Sequence, residues 1–372
     1  MKKTIAIYCL DQDRRKGSSQ GIFNYTRNFI AAMAKIPHSP LQVKLWVSSA
    51  NAKDLVPPSL PSWMKVMVIK GSFCSGIMRL IADHFIAPCL ELWERPVAVH
   101  YPKGWIPYPK FTKTKRIATI HDTIVHFLAE RYPNYRSFGK NFYFQKSSLF
   151  TIKSAFAIFT DSAFSASHIA RIKPSSSHKT TILPLGPGIV LPPSLPTYER
   201  KQLLVIGSLL PHKATLQTIM LLSNYAIRKG EKMEVTVTTL TRWPHEWGIQ
   251  PPALDIRFTG YLNDTDLIEE YCRSKALVFL SEMEGFGMPA LEAYLCNTPV
   301  CFRKGTAVGE ILAGIKGGWD GKGVDSFYIA LDDTLSMKRE DIENIKEKLS
   351  AKYNWQNCVK ITTELYEKIA NM

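Results

Sequence analysis

Short apolar runs, separated by stretches of helical spacing, recur along most of the chain. Residues Ile22, Tyr25, Phe29 and Met33 repeat at the period of a helix and predict an amphipathic helix after the first strand. The apolar runs predict strands at Thr4–Leu10, Gln42–Val47, Lys65–Ile69, Met233–Thr239, Leu254–Phe258, Ala276–Leu280 and Pro299–Phe302. The chain therefore alternates between strands and helices.

The stretch from Ala276 to Ala293 carries the most informative pattern. A buried strand leads into two glycines, Gly285 and Gly287, which allow a tight turn with close backbone approach. Pro289 suits the first position of a helix, because its missing N–H group would have no partner there. The free N–H groups of a helix start attract anions. The sequence here predicts a strand, a glycine turn and a helix start that can hold a phosphate.

Two carboxylates border this predicted anion site. Glu284 lies in the turn and Glu292 on the first turns of the helix. A carboxylate beside a diphosphate is useful if it accepts hydrogen bonds from hydroxyl groups of a sugar or a ribose. The spacing alone leaves a plainer interpretation open, in which Glu284 is an ordinary turn residue and Glu292 a surface residue.

A second polar position follows the strand of residues 116–120. His121 and Asp122 stand at its carboxyl end, and open parallel sheets bind ligands at that edge. A lone histidine is more often structural, so both interpretations stay open from the residues. Phe159-Thr160-Asp161-Ser162 is another strand end, and we interpret it as followed by a helix cap. Asp264 and Asp266 are likewise interpreted as helix-capping residues and not as a metal-binding pair.

The length of 372 residues suits two domains. No run of 18 or more apolar residues is present, so no spanning helix is expected. The start resembles a signal peptide, but its apolar part is short and we interpret it as a first strand. The 7 cysteines are scattered without a CxxC pair, which favours a reducing compartment and argues against structural zinc.

The positive charge is concentrated in one half of the chain. Residues 1–190 contain 26 Lys and Arg against 9 Asp and Glu, whereas the remainder contains 21 and 23. This asymmetry predicts an anionic partner for the first half. No nucleic-acid motif is present, so an anionic membrane face is favoured over nucleic acid.

Two further segments have compositions that suit contact with a membrane surface. The mostly apolar segment Phe73–Trp93 is interpreted as a core or interdomain helix, with a membrane-dipping amphipathic segment as the alternative. Residues 101–116 and 131–146 mix aromatic side chains with Lys and Arg, which suits a lipid headgroup region or a solvated loop.

The residues Ser281–Ala293 follow the pattern S-x-x-E-G-F-G-M-P-x-L-E-A, with seven residues between Glu284 and Glu292. This pattern resembles the signature of family 4 of the retaining glycosyltransferases. Weaker similarities recur in order along nearly the whole chain. The resemblance implies an α/β protein of the GT-B fold, with two Rossmann-like domains whose parallel sheets face a cleft.

The resemblance also implies roles for residues of the second domain. Glu284 would accept from a sugar hydroxyl and Glu292 from the ribose, and Lys213 would bind the donor phosphates. Ser208 stands where the family often has an arginine, and His212 replaces another one. The donor-binding set implied in this way is Gly207, Ser208, Lys213, Gly285, Phe286, Gly287, Met288 and Glu292.

The first domain would supply the acceptor side. T-I-H-D at residues 119–122 resembles the acceptor-side motif of the family, in which the histidine lies beside the donor sugar. Gly21 and Asp122 would lie near the acceptor, although Gln20 replaces the first glycine of the family's usual pair. Glu284, His121 and Lys213 are thus the expected catalytic residues, and no metal site or cofactor beyond the nucleotide sugar is expected.

The implied domains are residues 1–188 for the acceptor and membrane side, a proline-rich linker at 189–200, the nucleotide-sugar domain at 201–350, and a C-terminal helix at 351–372 that crosses back to the first domain. We expect the protein to be a metal-independent hexosyltransferase of envelope polysaccharide biosynthesis. It would be peripheral at the inner face of the cell membrane and act on a lipid-linked glycan. The donor is expected to be GDP-mannose or a UDP-hexose. The alternatives are a catalytically inactive, membrane-docked partner protein and, on charge alone, a nucleic-acid binder.

Overall fold

The computed structural model describes residues 2–13, 20–74, 76–108, 111–135 and 138–372, with only the backbone for 138–141. Positions 109, 110, 136 and 137 of the two aromatic and basic segments lie outside the described residues. The chain divides into two compact units. The first comprises Met1–Gly188 and Tyr353–Met372, and the second comprises Ile189–Lys352.

The first unit is built on a parallel sheet, of which seven strands fall within the described residues. Their order is β3-β2-β1-β4-β5-β6-β7. The order reverses beside β1, and such a point in an open sheet is a usual place for a ligand. The strands are β1 (Thr4–Tyr8), β2 (Gln42–Ser48), β3 (Met64–Ile69), β4 (Ala98–Tyr101), β5 (Lys115–Thr119), β6 (Ala157–Thr160) and β7 (Thr180–Ile182).

Helices cover this sheet, as expected from the apolar spacing of segments such as α1. A π-helical turn at Ala82–Ile86 connects α3 to α4, and a 3-10 turn at Pro174–Lys179 precedes β7. The helices are α1 (Gln20–Met33), α2 (Ala52–Leu55), α3 (Gly76–Ile81), α4 (Ala87–Glu94), α5 (Ile124–Arg131), α6 (Phe138–Ser154) and α7 (Ala163–Ile172).

The C-terminal helix α14 (Trp355–Asn371) belongs to the first unit. The Trp355 indole N–H donates to the carbonyl of Pro187 at 2.9 Å. Farther along the helix, the Tyr366 hydroxyl is 2.5 Å from Nδ1 of His100, a fully buried residue on β4. Burial lowers the pKa of His100 to about 3, so its imidazole is neutral inside this core.

The second unit repeats the same architecture with six parallel strands in the order β10-β9-β8-β11-β12-β13 among the residues described. The strands are β8 (Gln202–Ile206), β9 (Met233–Thr238), β10 (Leu254–Gly260), β11 (Ser274–Phe279), β12 (Val300–Arg303) and β13 (Gly318–Trp319). The helices are α8 (Thr215–Lys229), α9 (Asp264–Arg273), α10 (Met288–Leu295), α11 (Ala307–Ile311), α12 (Val324–Leu335) and α13 (Arg339–Lys352). Short 3-10 turns lie at Pro211–Lys213 and His245–Trp247.

Two helix starts test the interpretations of capping. The Ser165 N–H donates to the Ser162 side chain at 3.1 Å, so Ser162 caps α7 as predicted. At α9 the cap is Asn263, whose side chain accepts from the N–H of Asp266 at 3.0 Å. Asp264 and Asp266 thus lie in the first turn of the helix, where negative charge favours the dipole.

The segment Phe73–Trp93 is only partly a core element. Ala82, Ala87 and Leu90 pack into the core of the first unit. The other side of the segment exposes large apolar side chains, and the core interpretation is wrong for them: Ile77, Met78, Leu80, Ile81, Phe85, Leu92 and Trp93. Within the ranges the structure describes, no helix is long and apolar enough to span a bilayer.

Candidate active site

The turn between β11 and α10 lies at the carboxyl edge of the second sheet, as predicted. Met283 and Phe286 are buried and anchor the turn in the unit. Gly287 has φ +101° and precedes α10, with Pro289 in its first turn. A Cβ atom at Gly287 would lie 2.5 Å from Cγ2 of Val308, so only glycine fits this position without displacement. The backbone of Gly287 and Met288 is therefore placed firmly at the helix start.

Glu284 and Lys213 form an ion pair in this turn. The ammonium of Lys213 is 2.6 Å from Oε1 and 2.8 Å from Oε2 of Glu284. Their side chains are 26% and 11% exposed, so the pair is largely shielded but still reaches solvent. An ammonium has three donors and a carboxylate about four acceptor positions. Each group can therefore keep its partner and still bind a ligand oxygen or hydroxyl.

A backbone hydrogen bond holds the two loops together. The N–H of Glu282 donates to the carbonyl of His212 at 2.7 Å, directly before Lys213 and two residues before Glu284. His212 is buried, so its side chain packs inside this loop. The sequence predicted that Lys213 and Glu284 belong to one site, but it gave no sign that they pair with each other.

The loop after β8 approaches β9 closely. A Cβ atom at Gly207 would lie 2.6 Å from the carbonyl oxygen of Thr238, which explains the glycine at this position. The Ser208 N–H donates to Oγ1 of Thr215 at 2.9 Å, and its hydroxyl accepts from the N–H of Leu210 at 3.1 Å. In this structure Ser208 shapes the loop through these bonds and supplies no charge.

Glu292 lies on α10 and is 4% exposed. Its Oε2 accepts from the hydroxyl of Tyr271 on α9 at 3.1 Å. Burial, reinforced by the Glu292 carboxylate, raises the pKa of Tyr271 well above its ordinary value, so the tyrosine stays a donor. The plainer interpretation of Glu292 as an exposed residue of the helix is thus wrong. The predicted contact to a ribose stays a prediction.

Arg303 is a further cation at this edge that sequence reasoning did not identify. It ends β12, beside β11, and its Nη1 lies 3.3 Å from Oε1 of Glu282. Its guanidinium stacks over Trp319 at 5.2 Å from the ring centroid. The pattern gave no signal for Arg303, because its position beside the turn depends on strand pairing between distant segments.

His121 occupies the carboxyl end of β5 in the first unit. Its Nδ1 is 2.7 Å from Oδ2 of Asp161, and its Nε2 is 2.9 Å from the carbonyl oxygen of Pro102. Both partners accept hydrogen bonds, so this arrangement favours the doubly protonated ring. Burial alone would lower the pKa of His121, but the Asp161 carboxylate and the Pro102 carbonyl raise it above its ordinary value.

The partners of His121 connect it to a row of polar groups at this edge of the sheet. Lys103 directly follows Pro102, and its ammonium lies 3.4 Å from Oδ2 of Asp11, which follows β1. Asp161 ends β6. The row therefore runs along neighbouring strand ends, β1, β4, β5 and β6. The sequence named His121 and noted Asp161 only beside a cap, while Asp11 and Lys103 were missed.

Gly21 and Asp122 show simpler local roles. Gly21 is the second residue of α1 and has open space where a side chain would begin. Oδ1 of Asp122 accepts from the N–H of Ile124 at 2.9 Å, at the start of α5. Their predicted place near an acceptor stays a prediction.

Comparison with known proteins adds independent information. Residues 253–327 match the family model described as glycosyl transferases group 1. The chain is 27% identical to O-antigen chain mannosyltransferase B of Escherichia coli, over 72% of this chain and 73% of that protein. It is 24% identical to the serotype-specific mannosyltransferase WbdA of Escherichia coli, over 68% of this chain and 34% of that longer protein.

Solved structures share the fold at low sequence identity. Sucrose-phosphate synthase from Thermosynechococcus elongatus superposes with a TM-score of 0.67 at 15% identity, covering 99% of both chains. WaaG, a glycosyltransferase involved in lipopolysaccharide biosynthesis, superposes with a TM-score of 0.63 at 13% identity, covering 97% of this chain and 99% of WaaG. The predicted architecture of two α/β domains with parallel sheets is confirmed.

Proposed function

Because the chain is a glycosyltransferase of the GT-B fold, we propose that it transfers a hexose from a nucleotide sugar to a glycan acceptor with retention of configuration. Mannose is the favoured sugar, since both Escherichia coli relatives described above are named mannosyltransferases. Their names also favour a role in building a surface polysaccharide. The observation that carries the proposal is the Lys213–Glu284 pair beside the glycine turn.

The second unit would hold the nucleotide sugar. Lys213 and the N–H groups at the start of α10 would bind the diphosphate, and Glu284 would accept from a sugar hydroxyl. When the glycosidic bond to the diphosphate breaks, negative charge develops on a phosphate oxygen. A fixed ammonium and oriented backbone dipoles stabilise that charge without reorganisation. This chemistry is the basis for proposing transfer that needs no metal ion.

The first unit would present the acceptor hydroxyl. Retention would follow from attack on the same face as the leaving group, with the acceptor proton passing to the leaving phosphate oxygen. Asp161 and the Pro102 carbonyl hold His121 in one orientation at the sheet edge. His121 would lie beside the donor sugar, where its positive charge would favour the negative charge that develops on the leaving phosphate oxygen. No carboxylate is assigned as a covalent nucleophile.

The acceptor is proposed to be lipid-linked and the protein to dock on the cytoplasmic face of a membrane. The exposed side of residues 77–93 supports this, because Ile77, Phe85 and Trp93 are 75%, 68% and 73% exposed. The first 190 residues also hold all of the excess positive charge. Apolar insertion together with attraction to anionic lipids at about 1 kcal/mol per basic residue would give stable binding.

The donor assignment is tested by calorimetric titration with nucleoside diphosphates and nucleotide sugars, followed by a transfer assay. Lys213→Met should weaken nucleotide binding, and Glu284→Gln should lower transfer more than nucleotide binding. Lys232→Met, an exposed lysine of the same unit outside this site, is the matched control and should match the wild type. Normal transfer in the Lys213 and Glu284 variants would refute the assignment.

The membrane assignment is tested separately by flotation with anionic vesicles. Phe85→Ser and Trp93→Ser should reduce the bound fraction, whereas Ile249→Ser in the second unit should not, although Ile249 is 93% exposed. Equal binding of all three variants would remove the proposed docking face. It would leave the donor chemistry untouched.

A further inference from the structure

The second unit contains a large groove away from the candidate donor site. It has a volume of about 1120 Å³ and runs between the segment 191–200 and the ends of α9, α10 and α13. Leu295 and Cys296 at the C-terminal end of α10 line it, and so do Lys275 on β11 and Pro299, which precedes β12. The groove therefore lies at the amino-terminal edge of the sheet. Gly287 marks the opposite end of α10, about 12 Å along the helix.

Four cations line this groove: Arg200, Lys275, Arg339 and Lys346. Arg339 pairs with Glu343, and the other three are called the groove cations. No Asp or Glu is among the lining residues. The contacts recorded for Arg200 and Lys346 are with neutral groups, since Arg200 donates to the carbonyl of Ser274 at 3.3 Å and Lys346 to Oδ1 of Asn297 at 2.9 Å. Burial lowers the pKa of Arg200, and the nearby positive charge of Arg339 acts in the same direction.

The three groove cations pair with no carboxylate among the described residues. Residues 191–372 carry slightly more acidic than basic side chains. Eight cations of the unit pair with carboxylates, and one of them, Arg339, also lines the groove. The paired cations are Lys201, Lys213, Arg228, Lys229, Arg257, Arg273, Arg303 and Arg339. Like charges gathered without a counterion repel one another, and a bound anion would relieve that repulsion.

Apolar side chains form much of the remaining lining of the groove. Pro192, Pro193 and Leu195 form one side, and Leu295 and Ile342 stand among the residues that line it. A pocket of this size suits a small organic molecule, in which a few polar groups fix orientation and apolar walls contribute area. The lining thus fits a ligand with a charged end and an apolar body.

We propose that this groove binds an organic phosphate, with the phosphate on Arg200, Lys275 and Lys346 and the apolar part against the proline-rich wall. A phosphate ester carries about −1.5 to −2 charge near pH 7 and three strong acceptor oxygens, which matches three converging donors. The site is separate from the donor site and does not depend on the proposed transfer reaction.

The test uses hexyl phosphate as the probe, with inorganic phosphate and hexanol as its two halves, titrated calorimetrically into the full chain. Hexyl phosphate should bind at least about tenfold more tightly than either half, a difference of about 1.4 kcal/mol. The double variant Lys275→Gln/Lys346→Gln should lose about tenfold or more, since two charge-assisted hydrogen bonds are removed.

Two controls make the result specific. Lys232→Gln/Lys316→Gln removes two exposed lysines of the same unit that do not line the groove and should bind as the wild type does. Lys213→Gln should also retain binding, because it alters only the donor site. If the Lys346 change lowers the melting temperature, Lys275→Gln alone provides the test. No binding by the wild type, equal loss in the Lys232/Lys316 control, or loss in Lys213→Gln would overturn the proposal.

Discussion

Replacing Gly287 with alanine tests how tightly the start of α10 is held. The new Cβ would lie 2.5 Å from Cγ2 of Val308, whereas carbon atoms in contact prefer about 3.5–4.0 Å. Val308 is fully buried on α11 and cannot swing into solvent. Gly287 also has φ +101°, which an alanine adopts only with strain. Two separate costs therefore act at one position.

The free-energy costs of backbone strain and of overpacking can be separated with a second glycine. Gly314 has φ +80° but open space around a Cβ atom, so Gly314→Ala carries backbone strain alone, about 1–2 kcal/mol. Gly287→Ala adds overpacking of about 1–3 kcal/mol. For a unit of this size each kcal/mol lowers the melting temperature by about 2–4 °C. We expect a decrease of about 4–20 °C for Gly287→Ala and about 2–8 °C for Gly314→Ala.

The assay combines melting temperature with nucleotide binding and transfer. Displacing the helix start by about 1 Å should reduce kcat/KM by about a hundredfold, while Gly314→Ala should leave it unchanged. Adding Val308→Ala to Gly287→Ala should recover part of the stability, because the methyl group then occupies the space that the valine vacates. If Gly287→Ala melts like Gly314→Ala and transfers sugar normally, Val308 does not fix the turn and our account of the helix start is wrong.

Further predictions concern the Lys213–Glu284 ion pair, the titration of His121 and Asp83, and the packing at Gly186. In the cycle Lys213→Met, Glu284→Gln and the double variant, we expect the stability losses to be non-additive by about 0.5–2 kcal/mol, measured by denaturant unfolding; additive losses would show that the pair does not couple. The raised pKa of His121 stabilises the fold at low pH, and this contribution should fade as pH rises above about 6.5 through the folded-state pKa. His121→Asn should therefore flatten the pH dependence in that range; an unchanged slope would contradict the charged-ring assignment. Burial and the neighbouring Asp11 charge raise the pKa of Asp83 to about 7, so the free energy of unfolding should fall as pH rises from about 4 through 7, and Asp83→Asn should remove that slope. A Cβ at Gly186 would lie 2.4 Å from Cδ1 of Trp355. Gly186→Ala should therefore displace the indole and lower the melting temperature of the first unit. A Trp355 fluorescence unchanged from wild type would contradict this prediction.

The strand and helix pattern around the candidate site was predictable because it depends on local sequence. The predicted strand Ala276–Leu280 is observed at Ser274–Phe279, and the helix expected from Pro289 begins at Met288. Local signals of this kind, an apolar run, glycines and a proline, act within a few residues of one another.

The contacts between segments could not be predicted in the same way. The pairing of Lys213 with Glu284 joins residues 71 positions apart, and Arg303 reaches Glu282 only because β12 lies beside β11. Such features depend on strand order and packing, which no single segment encodes.

The placement of α14 in the first unit has a consequence for synthesis on the ribosome. The second unit is one continuous segment, Ile189–Lys352, whereas the first unit needs residues 353–372 to cover His100 and Tyr25. At about 5–20 residues per second, roughly 10–30 seconds separate the emergence of Gly188 from that of α14. During that interval the second unit has all its strands while the first still lacks a helix. Chaperones that recognise exposed apolar surface would thus meet the first unit while it still lacks α14, after the second unit had already folded.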